Sequence, residues 1–102
     1  MCGIAGIVNF KKPFISPQPL ISMINAMNHR GPDGEGMFSD TNVILGHKRL
    51  SIIDVAGSSQ PLANEDESVW ITFNGEIYNY QELRKELIDK GHIFKTGGDT
   101  ET

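Results

Sequence analysis

The sequence has little cysteine, an excess of acidic over basic residues and no long apolar run. Its 102 residues include one cysteine, so an internal disulfide is impossible and a disulfide scaffold is excluded. Nine Lys and Arg against 13 Asp and Glu argue against a surface for nucleic acid or anionic membranes. No apolar run approaches the roughly 18–20 residues that span a bilayer, and no secretion-signal pattern begins the chain. These absences predict a cytoplasmic protein.

The usual patterns of metal and nucleotide sites are missing as well. The potential soft ligands are scattered, with no pair at ligand spacing: Cys2, His29, His47 and His92. The glycines near residue 34 do not form G-x-G-x-x-G, and no G-x-x-x-x-G-K-[ST] is present. We therefore expect neither a metal nor a nucleotide to bind within this sequence.

An apolar strand and an amphipathic helix are predicted at the start of the chain. Residues 2–10 are apolar or small on both alternating faces, which is typical of a strand buried on both sides. Ser16 and Pro17 then suit the N-cap and the first turn of a helix. That helix is predicted to end near Asn28, and its apolar stripe consists of Leu20, Met23, Ile24 and Met27.

Short strands, loops and a second helix alternate in the remainder. Strands are predicted at 37–39, 43–47, 49–54, 69–73 and 92–96, the first two forming a hairpin. Loops are predicted at 29–36, 56–68 and 97–99. Residues 79–82 match a capping box and Gly91 is a helix stop, which together predict a helix with Tyr80, Leu83 and Leu87 on one face.

The last residues predict a further element that is cut short. Asp99 or Thr100 has the character of a cap for another helix, and only two or three residues follow. We therefore expect residues 1–102 to be the N-terminal part of a domain that is truncated at its C-terminal end.

Cys2 is the first candidate for chemistry because it is the penultimate residue. Initiator methionine is normally removed before a small residue, which would leave a thiol and a free α-amine on Cys2. Such an amine can accept the thiol proton, so one residue would supply both nucleophile and base. The alternative is a small buried hydrophobe, and the position alone leaves both interpretations open.

Charged and amide side chains supply candidate substrate contacts. Arg49, in an apolar strand, either grips a carboxylate through paired hydrogen bonds or lies on the surface of an edge strand. Asn74-Gly75 is either a type I′ hairpin turn or a pair of donors for an oxyanion. Glu76 and Asp99 either bind a substrate ammonium or are solvated acids of an acidic protein.

Five segments together resemble a known family. In chain order they are residues 1–6 (MCGIAG), 29–33 (HRGPD), 49–54 (RLSIID), 74–79 (NGEIYN) and 96–99 (TGGD). Their order and spacing resemble the class II glutamine amidotransferase domain of glutamine-hydrolysing asparagine synthetases, over nearly the whole chain. The resemblance implies an N-terminal-nucleophile hydrolase fold of the α+β class. This fold is a four-layer αββα sandwich of antiparallel sheets, which we expect to be incomplete in these residues.

The resemblance also implies roles for individual residues. After loss of Met1, Cys2 would attack the side-chain amide of glutamine, with its own α-amine as base. Asn74 and the Gly75 N–H would form the oxyanion hole. Arg49 would hold the α-carboxylate of glutamine, and Glu76 and Asp99 would hold its α-ammonium. The pocket would be shaped by Leu50, Ile52 and Gly98.

The partners follow from the same resemblance. Besides glutamine, they include a covalently linked synthetase domain, absent from this chain, that would use the ammonia to convert aspartate to asparagine. ATP and Mg²⁺ are expected in that domain and no cofactor in this one; neither nucleic acid nor membrane is an expected partner, and a homodimer is left open. Related branches with a sugar, antibiotic or cell-surface acceptor are an alternative. Others are an amino-acid-binding module without turnover and a fragment with no folded function.

Overall fold

Two antiparallel sheets and two helices are formed by residues 2–13, 16–50 and 59–102, the residues that this computed structural model describes. In chain order the elements are β1 (Gly3–Val8), α1 (Gln18–Ala26), β2 (Gly34–Ser39), β3 (Val43–Arg49), β4 (Leu62–Ala63), β5 (Trp70–Ile71) and α2 (Tyr80–Asp89). One sheet has the order β1-β3-β2 and the other pairs β4 with β5. The predicted α+β class with antiparallel sheets is therefore confirmed.

The larger sheet contains the predicted hairpin. β2 and β3 pair with Met37 opposite Gly46, and the turn is closed by a 2.8 Å hydrogen bond from Asp40 N–H to the Val43 carbonyl. The predicted loop at 29–36 is wrong at its end, because β2 already begins at Gly34. Glycine at position 36 lets the backbone carbonyl of Gln60 contact the strand where a Cβ would stand.

β3 is longer than the sequence pattern predicts. It runs unbroken to Arg49, so residues 43–47 and the first residue of the predicted strand at 49–54 belong to one strand. Leu50, the second residue of that predicted strand, is not in a strand, and its remaining residues, from 51 onward, lie outside the described residues.

The core lies between α1 and one face of the larger sheet. Leu20 and Ile24 of the predicted helical stripe pack on Ile44 of β3, and each of the three is about 1% exposed. Burying each such side chain contributes about 1.5–3 kcal/mol. Gly46 allows this contact, since a Cβ there would lie 2.5 Å from Ile24 Cδ1. The helix begins one residue later than predicted, with Pro17 at the N-cap position.

The opposite face of the larger sheet is only partly covered. Phe38 of β2 stacks on Trp70 of β5 with ring centroids 4.0 Å apart, so the smaller sheet lies over β2 and β3. On β1, Ile4 remains 48% exposed and Val8 51% exposed. The prediction that the first strand is buried on both sides is therefore wrong, because the smaller sheet does not reach β1.

The second half differs from prediction in its short strands. β4 forms within the predicted loop at 56–68, and the predicted strand at 69–73 is reduced to Trp70–Ile71. The predicted strand at 92–96 is wrong. There the Glu101 carboxylate accepts the backbone N–H groups of Lys95 at 2.7 Å and Thr96 at 2.6 Å, and these donors are then not available to a β-ladder.

The second helix ends as predicted but is not capped as predicted. Asn79 is at the N-cap position, yet its side chain makes no capping hydrogen bond, so the capping-box interaction is wrong. At the other end Gly91 has φ of 99°, and 3.0 Å bonds join Gly91 N–H to Ile88 O and His92 N–H to Leu87 O. This Schellman motif explains why glycine ends the helix. Neither helix in the described ranges is long and apolar enough to cross a membrane.

Candidate active site

Cys2 lies beside the end of β3. The pairing of β1 with β3 places Gly3 opposite Lys48, and Cys2 precedes that pair by one residue. The Leu50 N–H donates to Cys2 Sγ at 3.4 Å, and Sγ lies 3.9 Å from the Leu50 carbonyl oxygen. The half-buried thiol is thus held by a backbone group that is 48 residues away in sequence.

Asn74 reaches the same place from the smaller sheet. Its side-chain Nδ2 donates to the Cys2 carbonyl at 3.1 Å. The type I′ hairpin alternative is wrong, because β5 pairs backward with β4 and the chain continues into α2. In the described residues, positive φ occurs at Glu67 and Gly91 and not at Asn74 or Gly75, both of which would need it in that turn.

Gly75 has a packing reason to be glycine. The Phe73 ring lies where a side chain would project, with its Cζ 2.7 Å from the position of a Cβ. Gly75 itself is an exposed residue.

Arg49 is the half-buried last residue of β3, next to Leu50. The segment at 29–33 supports it: Asp33 N–H donates to the Arg49 carbonyl at 3.0 Å. Gly31 packs so closely on this strand that a Cβ would lie 2.5 Å from the Lys48 carbonyl carbon. The HRGPD motif therefore holds the strand end that bears Arg49.

Asp99 joins the TGGD segment to the NGEIYN segment. Its Oδ2 accepts the Ile77 N–H at 2.8 Å, which leaves the other carboxylate oxygen for a second partner. Glu76 is exposed on the neighbouring position, and Gly98 is half-buried. Cys2, Leu50 and Asn74 are thus joined by direct contacts, whereas Asp99 connects to them through the 74–77 segment. Ile52 lies outside the described residues.

Two residues whose linking role the sequence interpretation missed, Gln60 and His47, join these segments. The Gln60 side chain accepts the Phe73 N–H at 2.6 Å and donates to Thr100 Oγ1 at 3.3 Å. His47 Nδ1 lies 3.0 Å from Thr72 Oγ1, which joins β3 to the segment before Asn74. Gln60 is in a region that reads only as a polar loop, so no local pattern could have singled it out.

His47 is a buried imidazole at the centre of this network. Its side chain lies between the two sheets and the residue is 3% exposed. Burial lowers the pKa of His47 below its ordinary value, and the positive charge of Arg49 lowers it further. The folded protein therefore favours the neutral imidazole.

His47 is expected to make the fold less stable in mild acid. The unfolded chain binds the proton first as the pH falls below about 6.5, so stability is full above that pH and declines toward the lower folded-state pKa. In urea unfolding at pH 7.5 and 5.5, His47→Gln should lose less unfolding free energy between the two pH values than the unmodified chain. His29→Gln, which alters an exposed histidine, is the control; equal pH dependence in all three proteins would contradict the prediction.

Two surface cavities lie away from these residues. One of about 250 Å³ is lined by Leu87, His92 and Phe94 among others, and one of about 470 Å³ by Phe38 and Trp70 among others. Neither is lined by the residues around Cys2. Within the described ranges, no group of three or more His, Cys, Asp or Glu could hold a metal ion.

The arrangement suits attack on an acyl group. The residue that bears the thiol is bonded by an amide donor, and an exposed glycine follows that donor in the chain; an amide N–H and a backbone N–H are groups that can stabilise a tetrahedral oxyanion. An arginine at the end of the adjoining strand and an oriented carboxylate on the adjoining loop offer opposite charges for a zwitterionic substrate.

Comparison with known proteins agrees with this chemistry. A family profile described as "Glutamine amidotransferase domain" matches residues 1–102. The chain is 52% identical over 105 residues to "Asparagine synthetase [glutamine-hydrolyzing] 1" of Bacillus subtilis (strain 168), covering 99% of this chain and 16% of the relative.

Relatives of the same printed description occur in other organisms. A "Probable asparagine synthetase [glutamine-hydrolyzing]" of Dictyostelium discoideum is 42% identical over 103 residues, covering 99% of this chain and 18% of the relative. "Asparagine synthetase [glutamine-hydrolyzing] 1" of Arabidopsis thaliana is 41% identical over 102 residues, covering 99% and 17%. The chain thus spans about a sixth of the length of the curated relatives it matches.

Proposed function

Because this chain belongs to the glutamine amidotransferase domain family, we propose that it is the glutamine-hydrolysing part of an asparagine synthetase. The observation that carries the proposal is the meeting of three segments at Cys2. Its sulfur contacts the Leu50 N–H at 3.4 Å, and its carbonyl accepts the Asn74 amide at 3.1 Å. A nucleophile and an oxyanion donor are thereby held side by side.

The proposed reaction begins at the Cys2 sulfur. With Met1 removed, the α-amine of Cys2 takes the thiol proton while Sγ forms a bond to the side-chain carbonyl carbon of glutamine. The amide oxygen becomes an oxyanion that accepts hydrogen bonds from Asn74 Nδ2 and the Gly75 N–H. Asn74 can donate to the Cys2 carbonyl and to the oxyanion at the same time. Its amide group has two hydrogens, and only one of them is directed at the Cys2 carbonyl.

The oxyanion then collapses and the carbon–nitrogen bond breaks. The α-ammonium group of Cys2 returns its proton to the leaving nitrogen of the glutamine side chain. Ammonia then departs, and a γ-glutamyl thioester remains on Cys2. Water, deprotonated by the same amine, attacks the thioester and releases glutamate and the thiol. Every proton in this sequence passes through the amine of Cys2, so no histidine is required.

Charged groups around the sulfur would orient the substrate. Arg49 is proposed to bind the α-carboxylate of glutamine, and Asp99 its α-ammonium through the carboxylate oxygen that Ile77 leaves open. Glu76, exposed on the same segment as Ile77, would add a second negative charge near the ammonium. Leu50, Ile52 and Gly98 remain the proposed pocket walls.

We further propose that the described elements are part of a four-layer αββα sandwich. Supporting this, α1 packs on one face of the larger sheet while Trp70 and Thr72 contact the other face through Phe38 and His47. We also propose that the protein is cytoplasmic, and the formation of a homodimer is left open.

The ammonia would be used by a linked synthetase domain. This part of the proposal is supported by the Bacillus subtilis relative, which is named an asparagine synthetase and of which this chain covers 16%. As part of the same proposal, ATP and Mg²⁺ would bind in that domain, and we assign no step to them here. Aspartate as the acceptor of the ammonia is part of the same proposal.

The test is a nitrogen-donor comparison in the full protein that contains this chain. With ATP, Mg²⁺ and aspartate present, glutamine should yield glutamate and asparagine in equal amounts, and ammonium chloride should replace glutamine as donor. Glutamate release without asparagine would overturn the acceptor assignment and favour a branch with another acceptor. Asparagine formation from ammonium chloride without glutamate release from glutamine would overturn the amidotransferase assignment.

A further inference from the structure

We infer that Gln60 is a positioning residue that sets the separation between the oxyanion donors and the ammonium-binding carboxylate. The inference rests on the proposed function, because it assigns a role within the same site. The described side-chain hydrogen bonds of Gln60 go to the two segments that carry the proposed substrate contacts, and not to Cys2.

The Gln60 amide joins one segment to the other through both of its polar atoms. Oε1 accepts the Phe73 N–H at 2.6 Å, immediately before Asn74 and Gly75. Nε2 donates to Thr100 Oγ1 at 3.3 Å, immediately after Asp99. One side chain therefore spans the segments that carry the two kinds of substrate contact.

A second hydrogen bond connects the same two segments. Asp99 Oδ2 accepts the Ile77 N–H at 2.8 Å, so the 73–77 segment is held at both of its ends by groups that meet residues 99–100. With one connection the segments could rotate in any direction about that point, whereas two connections set their separation and restrict rotation to the line that joins the two points. The distance from the oxyanion donors to the second Asp99 carboxylate oxygen then determines how long an amino-acid substrate can be and still contact both groups.

Gln60 is itself held firmly enough to act as a spacer. It is half-buried, and its backbone carbonyl packs on Gly36 of β2 in a space that any side chain would fill. The larger sheet thus provides the fixed base from which the Gln60 amide reaches both segments. A misplacement of about 1 Å between catalytic groups can cost about 100-fold in rate, so such a spacer has functional weight.

The experiment compares near-isosteric variants in the full protein. Gln60→Met removes both side-chain bonds and Thr100→Val removes one, while Thr100→Ser keeps the hydroxyl. Gln81→Met is the matched control, since Gln81 is exposed on α2 and bonds only the neighbouring Tyr80 hydroxyl, at 3.4 Å, among the described contacts. Initial rates of glutamate release against glutamine concentration give kcat and KM for each protein.

Gln60→Met is expected to raise KM for glutamine about tenfold, the size of effect that lost hydrogen bonds to a polar group produce. Thr100→Val should raise KM less, and the double variant should be no worse than Gln60→Met alone, because both changes break the same link. Thr100→Ser and Gln81→Met should keep the original KM. Amide hydrogen exchange of the peptide spanning residues 73–77 should accelerate in Gln60→Met and not in Gln81→Met.

A merely structural role for Gln60 would give a different result. Partial unfolding lowers the active fraction and hence kcat, and it lowers ammonia-dependent asparagine formation in parallel, but it leaves KM unchanged. Suppose that the unmodified protein hydrolyses glutamine and that Gln60→Met has the same KM for glutamine. That result would overturn this inference and leave the proposed function intact. An unmodified protein that releases no glutamate would overturn both.

Discussion

Replacing Cys2 by alanine is expected to abolish glutamine hydrolysis while asparagine formation from ammonium chloride continues. The variant keeps the α-amine, Asn74 and Arg49, and lacks only the sulfur that forms the thioester. Removal of a nucleophile from such an assembly costs about 10⁴-fold or more in turnover. Glutamate release, followed by a coupled dehydrogenase assay, should therefore fall to the level of buffer alone.

The loss should be chemical rather than structural. The Leu50 N–H donates a weak hydrogen bond to Cys2 Sγ at 3.4 Å. Losing this bond should lower the free energy of unfolding by about 1 kcal/mol or less. Glutamine should still protect the Cys2→Ala protein against thermal unfolding, because Arg49 and Asp99 remain. Hydrolysis that persists in Cys2→Ala would refute the proposed nucleophile.

The same experiment checks the state of the N-terminus. The mechanism requires a free amine on Cys2, so the active protein should have an intact mass that lacks Met1. A fully active protein that retains Met1 would remove the α-amine of Cys2 from the role of base.

Replacing Asn74 by alanine is expected to lower kcat for glutamine by about 100-fold to 1,000-fold, the cost of losing one oxyanion donor. Its Nδ2 lies 3.1 Å from the Cys2 carbonyl, which holds the amide beside the nucleophile before substrate arrives. KM should change little, because the donor strengthens the tetrahedral state more than the planar amide. Steady-state rates of glutamate release measure both constants.

Asn79→Ala is the matched control for this prediction. Asn79 lies five positions further along the same motif and is exposed, and its side chain makes no capping bond to α2. Its replacement should leave kcat and KM near their original values. Equal losses in the two variants, or an effect of Asn74→Ala confined to KM, would contradict an oxyanion role.

Regular elements were predictable where short-range preferences agreed with the packing. The apolar stripe of α1 and the glycine stop of α2 are local features, and Leu20, Ile24 and Gly91 take the predicted positions. The strand predicted at 92–96 failed because the carboxylate of Glu101 captures the backbone donors there. Competition of that kind depends on a side chain outside the segment, so β-propensity could not reveal it.

Burial was less predictable than secondary structure. The sequence of β1 suits a strand covered on both sides, yet Ile4 and Val8 are about half exposed. Alternation shows which residues share a face but not what covers that face. Coverage is decided by where the smaller sheet packs, here through Trp70 on Phe38 of the neighbouring strand β2.

The candidate site likewise contains residues that motifs could predict and residues that they could not. Cys2, Arg49, Asn74 and Asp99 could be proposed as site residues from motifs because reaction chemistry restricts the residue types that can serve it, and this restriction is visible in the chain. Gln60 and His47 could not be named, since their partners lie at least 13 positions away in the sequence and no residue pattern around either side chain indicates the contact.

Composition and motifs therefore determined which chemical groups this protein has available: one thiol, an amide donor, a guanidinium and carboxylates. The tertiary structure alone decided which of them meet. Cys2 contacts Leu50 across 48 positions and Asn74 across 72, and Gln60 reaches Thr100 across 40. Contacts at such separations depend on sheet register and loop packing rather than on local preference, because the free energy that holds them comes from burial shared by the whole domain.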